Sequence, residues 1–128
     1  MDTSEFFKIG SINWKSFEKN SKIRKCTIEI NLDNPVKFLS NVDECTKNIF
    51  YSSVLPNVKF DSSKTRVGLC FVIPCLNYPI NVEYCKIQDI DDKLDTVNEQ
   101  FTKVSQSSKL SEIAHLQIIF TFIKVEMS

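Results

Sequence analysis

Few residues in this chain have types that do chemistry, and they are scattered. Nucleophilic catalysis or soft-metal binding would fall to one histidine, His115, and five cysteines, Cys26, Cys45, Cys70, Cys75 and Cys85. A zinc site needs ligands in close pairs. Here four residues separate Cys70 from Cys75, nine more precede Cys85, and Cys26 and Cys45 stand alone. Thiol catalysis needs a thiolate, a base and a third group to orient the base. Cys75 after Pro74 pairs with His115 only because there is no other histidine, and no third group is identifiable. The expectation is therefore no catalytic residue and no metal.

The acids Asp89, Asp91, Asp92 and Asp95 have the density of a calcium loop but not its pattern. Counted from Asp89, the sixth and twelfth positions are Leu94 and Gln100 rather than Gly and Glu. They read instead as the acidic first turns of a helix. The two glycines, Gly10 and Gly68, can form neither a dinucleotide nor a P-loop fingerprint, so no cofactor is expected.

Charge excludes less. Sixteen basic and sixteen acidic residues balance over 128 positions, so no global field draws the chain to nucleic acid or membrane. Residues 1–30 carry six Lys/Arg against four acids, and residues 83–100 carry six acids against two bases. No stretch reaches the roughly 18 apolar residues of a spanning helix. With an odd cysteine count and no glycosylation sequon, an intracellular protein is expected, cytoplasmic or nuclear.

The elements that would position any site are clearer. Val67–Ile73 is uncharged, rich in β-branched and aromatic residues, and stopped by Pro74; it reads as a strand buried on both faces. Gly68 inside it marks a bulge or a close approach. Cys26, Ile28, Ile30 and Leu32 alternate with Thr27, Glu29 and Asn31 as a half-buried strand, and Asp33-Asn34-Pro35 then starts a helix that Pro56 stops. Val58 and Phe60, the turn Asp61–Lys64 and Thr65–Ile73 read as a hairpin with a short first arm.

Ile80, Val82 and Tyr84 alternate with Asn81, Glu83 and Cys85 as a further strand. Ile90, Leu94, Val97, Phe101 and Val104 then recur every three or four residues as a second helix, and Ile113–Met127 reads as a last strand apolar on both parities. Residues 1–21 form an N-terminal aromatic arm with a helical turn near Trp14–Phe17, and residues 22–128 a single domain. The expected architecture is an α+β two-layer sandwich, a mainly antiparallel sheet of four or five strands with two helices on one face. Its chain order, β-α-β-β-α-β, is that of the ferredoxin-like split βαβ.

Function is expected to follow from an excess of apolar surface. Two helices cover one side of a sheet, yet two strands are apolar on both sides. The far side calls for the arm, a second copy or another protein. The leading expectation is a non-enzymatic protein–protein interaction module, a small complex subunit, using Phe6, Phe7, Trp14, Phe17, Leu116, Ile118, Phe120 and Phe122. The alternative is a single-stranded nucleic-acid-binding domain of RNA-recognition-like type, using Lys19, Lys22, Arg24 and Lys25. Ile28-Glu29-Ile30-Asn31-Leu32 suits the first strand of such a domain, but Tyr84 is the one aromatic where several are needed, and no family is assigned.

Overall fold

The computed structural model describes residues 7–16, 23–33, 35–58, 64–74, 79–107, 113 and 115–125, with 7–16 given by their backbone. Five strands form one antiparallel sheet: β1 Phe7–Ser16, β2 Ile23–Asp33, β3 Thr65–Val72, β4 Ile80–Lys86 and β5 His115–Val125. Their order across the sheet is β1-β2-β5-β3-β4.

The α+β class is as expected, and from β2 onward the chain order is β-α-β-β-α-β. The sheet order is not ferredoxin-like. The C-terminal strand, which lies at the edge in that fold, here sits at the centre between β2 and β3. One of its parities, Leu116, Ile118, Phe120 and Phe122, is fully buried in the core, while Ile119 and Ile123 on the other are half-buried. A second correction concerns the N-terminal segment. In place of a helical turn at Trp14, residues 7–16 pair along β2 and extend the sheet as its fifth strand, with Trp14 opposite Cys26 and Ile9 opposite Ile30.

Each expected helix is present but broken once. The first comprises α1 Val36–Leu39 and α2 Val42–Ile49, continuing as a wider π turn over Phe50–Val54 and a 3₁₀ turn over Leu55–Asn57. The second comprises a 3₁₀ turn Ile87–Asp89, α3 Ile90–Asp95 and α4 Val97–Ser107. Both breaks share a chemistry. Ser40 Oγ donates to the Lys37 carbonyl at 2.6 Å, and Thr96 Oγ1 donates to the Lys93 carbonyl at 2.7 Å. A hydroxyl that takes a carbonyl from the preceding turn competes with the helical ladder. The Pro35 carbonyl accepts the Leu39 amide at 2.8 Å, so the proline opens the first helix as its sequence context predicts.

The helices lie on one face of the sheet. Cys26, Ile28, Ile30 and Leu32 of β2, Val67, Leu69 and Phe71 of β3, and Leu116, Ile118, Phe120 and Phe122 of β5 form a floor closed by Phe38, Ile49, Phe50, Ile90, Leu94, Val97 and Phe101. Phe50 stacks over both Phe120 and Phe122, with centroids 5.8 and 6.2 Å away, and Phe101 meets Phe71 edge-on at 5.3 Å. The narrow stripe on α3 and α4 thus docks on the sheet. Among the described residues no helix is long and apolar enough to cross a membrane. Val58 is extended and buried but belongs to no strand, and the rest of the expected short hairpin arm lies outside the described residues.

Candidate binding face of the sheet

The face away from the helices is set by the opposite parity of each strand. β2 contributes Lys25, Thr27, Glu29 and Asn31, β5 Gln117, Ile119, Thr121 and Ile123, and β3 Arg66, Gly68, Cys70 and Val72. Ile119, Ile123, Cys70 and Val72 are half-buried, and among the described residues no helix lies on this face. Gln117 Nε2 donates to Asn31 Oδ1 at 3.1 Å across β2 and β5.

β4 reaches this face through an irregularity. Val82 pairs with Leu69 and Cys85 with Val67, so three steps on β4 match two on β3. One extra residue in a strand is a bulge, and it reverses the alternation beyond it. Glu83 and Tyr84 therefore both point outward while Cys85 returns to the core. Tyr84 had been expected on the core parity with Ile80 and Val82, and the bulge is the reason it is not there. Its residue surface is 49% exposed, and its ring lies against Gly68 of the neighbouring strand. Gly68 was expected to mark a bulge or a close approach by another backbone; the bulge lies opposite it in β4, and what approaches Gly68 is the side-chain ring of Tyr84. A shallow groove of about 240 Å³ runs here, lined by Gly68, Cys70, Asn81, Glu83, Tyr84 and Thr121.

Register places a basic row across the same face. Lys25 pairs with Ile123, Ile123 with Arg66, and Arg66 with Lys86, while Lys15 of β1 pairs with Lys25. Arg66 and Lys86 are exposed, and no ion pair to either is present among the described residues. The next row along the sheet holds Thr27, Thr121 and Gly68, with Tyr84 over it.

Several expected site residues lie elsewhere. Leu116, Ile118, Phe120 and Phe122 are fully buried under the helices, so in this fold they make core and not a partner surface. Phe7 and Trp14 belong to β1; Phe6, Phe17, Lys19 and Lys22 lie outside the described residues. Of the basic pair on β2, Lys25 is on the open face and Arg24 on the opposite parity. Arg66, Lys86 and Gly68 were missed as site residues. They come from strands far apart in sequence, and only the register joins them.

The remaining candidates are accounted for within the fold. The Asp89–Asp95 acids tie helices together. Lys47 Nζ on α2 donates to Asp95 Oδ1 at 2.9 Å, which raises its pKa, and the Tyr51 hydroxyl donates to Asp91 Oδ1 at 2.9 Å. Desolvation, reinforced by Asp91, pushes Tyr51 up to about 12. His115 Nδ1 lies 3.3 Å from Asp33 Oδ1 at the far end of the sheet from the basic row, and both side chains are exposed. Cys26, Cys45 and Cys85 are buried and Cys70 half-buried; desolvation raises the thiol pKa of Cys45, Cys70 and Cys85. Thiols held protonated in this way are poor nucleophiles. Cys75 lies outside the described residues. Among the described residues no group of three or more His, Cys, Asp or Glu is placed to hold a metal ion. Comparison of the chain with protein-family models, with curated proteins and with solved structures gave no match.

Proposed function

We propose that the chain is a non-enzymatic binding module, a small subunit that joins a larger assembly through the open face of its sheet. The observation that carries this reading is the composition of that face where no described helix covers it. The two central strands present Ile119, Ile123, Cys70 and Val72 there, beside the exposed ring of Tyr84. An antiparallel sheet facing only water alternates to polar residues. An apolar strip with a polar rim is instead the composition of a recognition surface.

A protein partner is favoured by this strip. A single-stranded nucleic acid is favoured by the basic row that crosses it. The two share the face and differ in the chemistry that recognises it.

The test is a tagged purification from the protein's own cells, run in parallel for the native chain, for an open-face variant Ile119→Thr/Ile123→Thr, and for a helix-side control Lys47→Gln. The reading predicts that one component accompanies the native chain and the control but not the open-face variant. Equal recovery with all three, with the variant shown to be folded, would place the working surface elsewhere.

A further inference from the structure

We infer that the ligand of the open face is a single-stranded nucleic acid, its phosphates following the row Lys25, Arg66 and Lys86 and one base stacked on the ring of Tyr84. This rests on the reading of the open face as the working surface and names what occupies it.

The first argument is electrostatic. In an antiparallel pair, like charges placed directly opposite destabilise the sheet. Arg66 stands directly opposite Lys86 on this face. Lys15, opposite Lys25, continues the row at the edge strand. A chain with equal numbers of acids and bases has the residues to alternate these signs, yet Arg66 and Lys86 stand side by side with Lys25 in the same row. An anion lying along the row would offset the repulsion.

Shape argues for an extended anion. From Lys25 to Lys86 the row crosses four strands, roughly 14 Å at the usual strand spacing, and no described helix covers it. The acids of this face bound the path. Glu29 lies four residues beyond Lys25 along β2 and towards the far end, where Asp33 pairs with His115; Glu83 flanks Tyr84 on the bulge. Phosphates are confined to the basic end.

The ring of Tyr84 distinguishes a nucleic acid from other polyanions. It stands within one row of Arg66 and Lys86, rests on a glycine and leaves about half its residue surface to solvent. Single-strand-binding surfaces combine a cationic track with aromatic rings on which bases stack. Neither an acidic peptide nor a lipid headgroup uses such a ring in this way.

The experiment is fluorescence anisotropy with the full chain and short labelled oligothymidylate and oligouridylate strands, titrated over a range of salt. Three phosphate contacts predict a slope of about −2 in log affinity against log salt. Arg66→Gln/Lys86→Gln should flatten that slope by about 1.4. Tyr84→Leu should weaken binding by about 5- to 150-fold with the slope unchanged. Circular dichroism confirms that the variants fold, and Lys86→Gln alone serves if the double variant does not. Absence of binding at low salt would overturn the inference, as would affinity indifferent to Arg66 and Lys86. Tighter binding to duplex, or equal binding to polyglutamate or phosphatidylserine vesicles with no effect of Tyr84→Leu, would also overturn it. None of these outcomes touches the wider reading, which fails only if the Ile119→Thr/Ile123→Thr variant keeps its cellular companion.

Discussion

The ring of Tyr84 lies so close over Gly68 that a Cβ on Gly68 would stand 3.0 Å from both Cδ1 and Cε1 of the ring. The bulge in β4 turns Tyr84 outward, and the glycine in β3 supplies the flat seat. Both features are local losses of sheet stability. They occur together, on one row, beside the cations of the open face.

This relationship has a spectroscopic signature. The Gly68 α-protons, under an aromatic face, should resonate upfield of ordinary strand values and return to them in Tyr84→Leu. Gly68→Ala should displace the ring while leaving the fold intact, because what must move is an exposed side chain and not backbone. If the Gly68 resonances do not respond to Tyr84→Leu, the seat is not occupied as described.

The opposed cations predict a gain of stability on their removal. Lys86→Thr relieves the repulsion with Arg66 and puts a good strand former in its place, so urea unfolding at low salt should show stabilisation of up to about 1 kcal/mol. The gain should shrink as salt screens the pair. Destabilisation by this substitution would contradict the repulsion.

Asn98 on α4 supplies a cap to a helix not its own. Its Oδ1 accepts the Asp43 amide at 3.2 Å in the first turn of α2, where Asn41 gives no side-chain cap. The same side chain, hydrogen-bonded to the Asp43 carboxyl, is the leading cause holding that group below its ordinary 3.8. Asn98→Ala should cost about 1 kcal/mol at neutral pH. A depressed carboxyl contributes stability above its unfolded pKa and loses it as pH falls through the folded value. The gap between native chain and variant should therefore narrow below pH 3.8, as followed by urea unfolding across pH.

Phe122 is fully buried against Phe50. Phe122→Ala should cost about 3–5 kcal/mol. The measurement is the urea midpoint; a cost below about 1 kcal/mol would mean that the ring is not in the core.

Four of the five strands were legible in the sequence, where alternation or an uncharged β-rich run marks them, but β1 was not, since residues 1–21 show no clean period. β2 shows the period of two cleanly, and β3 Thr65–Val72 matches the expected strand Thr65–Ile73. The helices were legible as stripes, but their breaks at Ser40 and Thr96 depend on side-chain hydrogen bonds that periodicity does not carry. Strand order was not legible. Nothing in Leu116–Val125 distinguishes a central strand from an edge strand, and with both parities apolar the sequence does not say which faces the helices; the parity of Phe120 and Phe122, expected on the far side, is the core one. The basic row was least visible, since Lys25, Arg66 and Lys86 meet only through the pairings of β2, β5, β3 and β4, and a single bulge decides that Tyr84 joins them.

The central claim is that the open face of the sheet is the working surface. It is tested most directly by amide chemical shifts of the full chain titrated with oligothymidylate. The account predicts shifts concentrated at Lys25, Arg66, Gly68, Tyr84, Lys86 and Ile123, with the amides of α2 and α4 unmoved. Shifts centred on those helices would contradict it, whereas the absence of any shift would overturn the nucleic-acid ligand alone.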